Sequence, residues 1–398
     1  MTEDLYIKNA QIVLSDCVTD EYSVWVCDGH IKLCASRDTA PAGAREIDAN
    51  GSYLCAGFID MHVHGGNGSD FMDATPADFG NIAAYHASHG TTAMLATTTT
   101  STEDELFAAL DCFEQYQKAP KEGAALLGIH LEGPFFNAEQ KGAQDDRYLK
   151  KPTADYIEKL FYKSAHIKKI SAAPELDENW ILAAACQKRN ILLSCGHTSC
   201  TAAQAIESFM HGYTCVTHLY SGMNGVIRKN CYRIAGLVEA AYLLDDMYVE
   251  VIADGRHLPK ELLQLICKVK GADRIALVTD CSAASGITKS GAKIGSRKNG
   301  LDVVVRDGVA FLPDFTSFAG SVVTCDKMLY NMLHLTGMSL PDCVKTLTET
   351  PARILGYSRT KGRIADGYDA DMVLLDITSD SVDIKCVIVN GREIVRTM

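Results

Sequence analysis

Apolar positions recur with two different periods along the chain, and the change of period divides it. At both ends apolar and polar residues alternate in short runs: LYIKNAQIVLS and SVWVCDGHIKLCAS near the start, DMVLLDIT and IKCVIVNGREIV near the finish. Alternation with period two is the mark of a strand with one buried face. Asp28-Gly29 and Asn390-Gly391 interrupt these runs with dipeptides that accept the positive φ of a tight hairpin turn. Two hairpin-rich ends need partners, so they are expected to pair with each other.

Between Ala56 and Gly356 short apolar runs alternate with helical stretches, the pattern of repeated βα units around a parallel sheet. Eight strands are predicted, over 56–62, 91–97, 125–131, 168–174, 191–196, 214–218, 246–253 and 274–280. Helix signals fit between them. Thr75 precedes Pro76 as a cap before an N1 proline, Gly90 follows that helix, and Thr102 with Glu105 makes a capping-box pattern. Residues 281–318, rich in Gly, Ser and β-formers, fit no plain βα unit and are expected to be an excursion. The predicted class is α/β: a (β/α)8 TIM-type barrel over 56–356, with a small, discontinuous, sandwich-like β domain from 1–55 and 357–398.

The barrel reading gives meaning to the polar residues at strand ends. His62 and His64 lie at the first strand, Glu132 past the third, His197 past the fifth, His218 at the end of the sixth, His257 past the seventh and Asp280 at the end of the eighth. Each alone has a plainer explanation: an incidental HxH pair, a buried histidine bonded to backbone, an aspartate capping the next helix. The carboxyl ends of barrel strands converge on one mouth, however, and six strands deliver metal-competent groups there. Imidazole and carboxylate donors suit Zn²⁺, Fe²⁺ or Mn²⁺ with an open position for water. Such an ion makes hydroxide available near neutral pH and polarises a carbonyl, and Asp280 would take the water proton and return it to a leaving nitrogen. The chemistry this implies is metal-assisted hydrolysis of a C–N bond.

Competing motifs are weaker. Cys195 and Cys200 flank His197 in CGHTSC at no zinc-ribbon spacing and read as packing residues. HGGNGSD lacks the Walker lysine and does not spell GxGxxG, so it reads as a turn beside the site. His86 and His89 read as surface or helix-packing residues. Fifteen scattered cysteines form no legible disulfide framework.

Composition narrows the partners. The 398-residue chain carries 38 Lys+Arg against 50 Asp+Glu, a net charge of −12, so nucleic acid and anionic membranes, which need a basic face, are not expected. The N-terminus has no basic n-region and no long apolar run, and a reducing cytoplasm is the expected location.

Several segments together resemble the N-acetylglucosamine-6-phosphate deacetylase family of the amidohydrolase superfamily: DMHVHGGNGSDFMDA, GIHLEGPFFN followed by KGAQ, GHTSCT, THLYSGM, VIADGRHLP, LVTD, FAGS, TPARILG and KGRIADGYDADMVLLD. The resemblance implies a metal-dependent barrel with a small β domain, usually dimeric, that removes acetate from an N-acetyl amino sugar phosphate. By position it implies Glu132, His197 and His218 as ligands of the main metal, taken as zinc, and His62 and His64 as the pair for a second ion. It also implies Asp280 as catalytic acid and base, and His257 at the acetyl carbonyl. Departures fall in substrate recognition. Gln144 replaces the histidine of KGAH, and Ser221 and Gly222 stand in HLYSGM where the family reads HLYNAM or HLFNAM. Arg233, in YRIAG, corresponds to the family arginine that reaches the neighbouring subunit's phosphate, with Arg228 and Lys229 in an insertion before it. N-acetylgalactosamine 6-phosphate, an unphosphorylated sugar or another cyclic amide therefore stay open as substrates beside N-acetylglucosamine 6-phosphate.

Overall fold

A computed structural model of the chain describes residues 3–35, 38–118, 122–287 and 291–397. Residues 1, 2, 36, 37 and 398 of the predicted terminal domain and 288–290 of the predicted excursion lie outside the described residues.

Eight parallel strands form one sheet in chain order: β1 (Phe58–Val63), β2 (Thr91–Thr98), β3 (Ala125–Glu132), β4 (Ile167–Ala172), β5 (Leu192–Cys195), β6 (Tyr213–Val216), β7 (Tyr248–Val251) and β8 (Ile275–Leu277). Both faces of such strands are covered, which is why β2 is buried at all eight positions. The sheet curls until β8 meets β1. Asp280 N donates to His62 O at 2.8 Å and His64 N to Cys281 O at 2.9 Å, a short parallel bridge that closes the barrel. All eight predicted strands are present.

Every strand departs from its predicted range by one to three residues at one end or both, and two of these departures bear on the site. The first was expected from Ala56, but Ala56 pairs antiparallel with Met372 in the terminal sheet and β1 begins at Phe58. Gly57 makes the join, because a Cβ there would lie 2.1 Å from Thr92 Oγ1. The last strand was expected to reach Asp280 but ends at Leu277, since Asp280 leaves extended geometry with φ +47°. Capping follows the sequence signals: Thr75 Oγ1 accepts from Asp78 N at the start of α1 (Pro76–Ala87), and Thr102 Oγ1 from Glu105 N at the start of α2 (Glu103–Gln117).

The terminal segments pair as expected. Tyr53–Ala56 runs antiparallel to Met372–Ile377 within a six-stranded sheet, and a four-stranded sheet holds Leu5–Lys8, Tyr22–Cys27, His30–Ala35 and Arg45–Asp48. Side chains of both sheets, including Ile7, Val24, Leu54, Met372 and Ile388, build a core of their own. Asp28 (φ +50°) and Asn390 (φ +49°), each followed by a glycine of positive φ, make the two hairpin turns.

The excursion after β8 consists of two small hairpins, Lys293–Ile294 with Leu301–Asp302 and Val304–Arg306 with Val309–Phe311, over a minor apolar cluster. Arg297 fastens it to the barrel, donating to Asp78 Oδ1 at 2.6 Å. Among the described residues no helix is long and apolar enough to cross a membrane.

Candidate active site

At the carboxyl ends of the strands a cavity of about 400 Å³ opens, lined by His64, Glu132, His197, His218, His257 and Asp280 among others. Glu132 is the hub. Its Oε1 lies 3.0 Å from His218 Nε2, 3.2 Å from His197 Nε2 and 3.3 Å from His62 Nε2, while Oε2 lies 3.2 Å from His64 Nε2. Asp280 Oδ1 completes the ring, 3.1 Å from His64 Nε2 and 3.4 Å from His62 Nε2. The structure therefore brings together six of the residues expected at the metal and catalytic positions, from β1, β3 and the segments just past β1, β5, β6 and β8.

Local backbone geometry aims these side chains. His197, His218 and Asp280 take φ of +48°, +29° and +47°, a left-handed conformation that non-glycine residues rarely adopt and that concentrates at functional sites. All three side chains line the cavity. Gly222 sits against one of them. A Cβ at this position, itself at φ +57°, would lie 2.9 Å from His197 Nδ1.

Two of the ring nitrogens that face away from the centre have fixed partners, whereas among the described residues His64 Nδ1 and His218 Nδ1 are buried without one. His197 Nδ1 donates to Gln140 O at 2.8 Å, and His62 Nδ1 to Glu250 Oε2 at 3.1 Å, which leaves Nε2 of each as the lone-pair nitrogen. His62 Nε2 is buried with no hydrogen-bond partner despite the two carboxylates beside it.

Charge tells the same story. Burial raises the Glu132 carboxyl and lowers the His62 imidazole, yet the charges outweigh it: His62, His197 and His218 hold Glu132 well below the usual range, and Glu132 with Asp280 raises His62 to about 9. Burial acts on Asp280 the same way and His62 and His64 again outweigh it, so its carboxyl is lowered. Carboxylates that would hold protons on buried imidazoles offer the same negative charge to a cation. Two donor sets, His62–His64–Glu132 and Glu132–His197–His218, each have their ligand atoms within 4.8 Å of one another. Nitrogen and oxygen donors converging around an unsatisfied buried nitrogen fit a divalent metal.

Other expected residues are placed differently. Gln144 and Gly222 line the cavity with Ser221, but Gln144 is buried against the carboxylate at the hub: its Nε2 donates to Glu132 Oε2 at 2.5 Å and its Oε1 accepts from Thr100 N at 2.8 Å. His257 Nδ1 donates to Asp254 Oδ2 at 2.7 Å, and its ring packs on Phe318. Arg233, Arg228 and Lys229 stand away from the cavity. They lie on an exposed hairpin, Ile227–Lys229 with Tyr232–Ile234, where Arg228 and Arg233 are directly opposed. Among the described residues no Lys or Arg lines the cavity.

Three features lay beyond sequence reasoning. Asp254 precedes His257 by three residues in DGRH, a spacing that signals the bond that orients it. Glu250 and Lys169, interior to β7 and β4, carry no such signal. Phe311, Phe315 and Phe318 form an aromatic wall at the mouth, supplied by the excursion. Cys195 and Cys200 are buried free thiols, as packing requires. His86 is fully buried on α1, with Nε2 donating to Gly65 O at 2.9 Å.

Residues 53–394 match the model of the amidohydrolase family. The chain belongs to that family. It is 32% identical over 380 residues to the N-acetylglucosamine-6-phosphate deacetylase of Lysinibacillus sphaericus, covering 94% of each chain. It is also 30% identical to the N-acetylgalactosamine-6-phosphate deacetylase of Escherichia coli O157:H7, over 90% of this chain and 91% of that one. Among solved structures, the N-acetylglucosamine-6-phosphate deacetylase of Pasteurella multocida superposes with a TM-score of 0.89 at 27% identity, over 98% of this amidohydrolase and 99% of that chain.

Proposed function

We propose that this amidohydrolase removes acetate from N-acetylglucosamine 6-phosphate by metal-dependent hydrolysis of its amide, leaving glucosamine 6-phosphate. The observation that carries the reading is the convergence of His197 and His218 on one oxygen of Glu132, with Asp280 across the same cavity.

Glu132, His197 and His218 would hold the main ion, and His62 and His64 a second one. Zinc suits these nitrogen and oxygen donors with a position left open. When bound, the cation polarises the amide carbonyl and lowers the pKa of a water. Asp280, kept ionised by His62 and His64, accepts the proton of the attacking water and returns it to the departing nitrogen. With Nδ1 committed to Asp254, His257 turns Nε2 toward the acetyl oxygen. Gln144, Ser221 and Gly222 border the room left for the sugar.

A cavity with no lysine or arginine among the described residues leaves the phosphate to another source of charge. A homodimer in which Arg233 reaches the neighbouring subunit's substrate meets that need, and a cytoplasmic location agrees with free thiols. The same reading takes residues 1–55 with 357–398 as a separate unit from 56–356, supported by the second core. N-acetylgalactosamine 6-phosphate is the second reading, favoured by the Escherichia coli relative and by Gln144, Ser221 and Gly222, which leave the sugar-facing wall unlike KGAH and HLYNAM.

Acetate release tests both. N-acetylglucosamine 6-phosphate, N-acetylgalactosamine 6-phosphate and N-acetylglucosamine are compared with and without a chelator. Chelator-sensitive release, fastest from the first, is the expected result. Release that survives complete metal removal overturns the mechanism, and a preference for either other sugar overturns the substrate.

A further inference from the structure

Beneath the metal-ligand ring the barrel interior contains an ion pair that the proposed chemistry does not use. Lys169 on β4 and Glu250 on β7 are both wholly inaccessible, and Lys169 Nζ donates to Glu250 Oε1. Glu250 Oε2 then accepts from His62 Nδ1 at 3.1 Å and from the backbone N of His218 at 3.3 Å. On its other side the His62 ring meets His130 edge to face, with centroids 4.5 Å apart. His130 is itself tied to Ser171 Oγ at 2.7 Å and Thr97 Oγ1 at 3.2 Å.

A buried ion pair is a poor source of stability, because well-packed apolar residues of similar volume hold a fold as well or better. Its retention here therefore points to another task. A carboxylate balanced by Lys169 accepts the His62 Nδ1 proton as a hydrogen bond. Once a cation displaces the other ring proton, that choice of tautomer puts the lone pair on Nε2, which lies 3.3 Å from Glu132 Oε1 and 3.4 Å from Asp280 Oδ1 with no partner of its own. With His130 blocking rotation of the ring, His62 has one orientation and one donor atom to offer.

We propose that Lys169 and Glu250 are positioning residues that fix the tautomer and orientation of His62, the histidine that the proposed function gives to the second ion. The inference rests on the metal centre of the proposed function. It separates the two ions, because Glu250 touches no side chain of the Glu132–His197–His218 set and reaches His218 only through its backbone N.

Three full-length proteins test it: wild type, Lys169→Met with Glu250→Gln, and Lys169→Met with Glu250→Met. The glutamine keeps a carbonyl oxygen for His62 Nδ1, whereas the methionine removes it, and neither pair leaves a buried charge. Folding is checked by circular dichroism, and zinc content is measured by mass spectrometry across a series of buffered Zn²⁺ concentrations. Two zinc ions per wild-type chain are expected, with both sites kept in the glutamine protein. The methionine protein should retain the first ion with unchanged affinity and bind the second roughly 10- to 100-fold more weakly, the usual effect of losing an outer hydrogen bond to a ligating histidine. If that protein does not fold, Lys169→Met with Glu250→Leu takes its place. One zinc per wild-type chain, or equal second-site affinity in the glutamine and acceptor-free proteins, overturns the inference. Acetate release by the wild type is recorded in parallel. Its absence overturns the proposed function, whereas a single-zinc enzyme that still releases acetate overturns only the positioning role.

Discussion

Gln144 Nε2 donates to Glu132 Oε2 across 2.5 Å, while the other oxygen of the same carboxylate faces His197 and His218. The amide is held at its far end by Thr100 N, so it fixes the plane of the carboxylate. Gln144→Ala should therefore weaken zinc retention by about 10- to 100-fold, the range seen when outer hydrogen bonds to a ligand are lost. Competition with a chelator measures it. A rise in KM with unaltered zinc affinity would assign Gln144 to the sugar alone.

Asp280→Asn should lower turnover by about 10²- to 10⁴-fold, the usual worth of a positioned acid and base, because an amide cannot take the water proton. Zinc at Glu132, His197 and His218 should remain, since Asp280 Oδ1 approaches His62 and His64 instead. Steady-state kinetics together with metal analysis separates this failure from that of His197→Ala, which should lose the ion.

Arg233→Ala should raise KM for N-acetylglucosamine 6-phosphate far more than for N-acetylglucosamine. The guanidinium is exposed on a hairpin outside its own cavity, and its planar fork suits phosphate oxygens on a neighbouring chain. Equal effects on the two sugars, or a wild type that prefers the unphosphorylated one, would remove the phosphate from the substrate and leave the amide chemistry standing.

Acid should destabilise the fold through His86. Burial lowers its imidazole from 6.5 to about 4, with Nε2 donating to Gly65 O and Nδ1 enclosed without a partner. Between those values the unfolded chain binds a proton that the folded one refuses, so stability falls as pH drops from about 6.5 to about 4, by roughly 3 kcal/mol over the window. His86→Gln keeps a donor for Gly65 O and removes the titration. Denaturant unfolding of the metal-free proteins at pH 7 and pH 4.5 should show a smaller acid loss in the variant. An identical loss would place the acid sensitivity elsewhere.

The strands, the hairpins at Asp28-Gly29 and Asn390-Gly391, and the pairing of the two ends were legible in the sequence. These follow from local rules: a period of apolar residues, a dipeptide that tolerates positive φ, a run with no partner nearby. The metal-competent set was legible too, because eight strands imply a barrel, and a barrel turns the last residue of each strand toward one point. Tertiary structure alone decided the orientation of those residues. The left-handed turns at His197, His218 and Asp280 have no glycine at the turning residue to announce them, while the amide of Gln144 on Glu132 and the Lys169–Glu250–His62 chain join atoms from separate elements that no spacing along the sequence encodes. Arg233 shows the same limit from the other side. It lies on the loop after β6, yet that loop folds into a hairpin that pairs Arg233 with Arg228 outside the cavity.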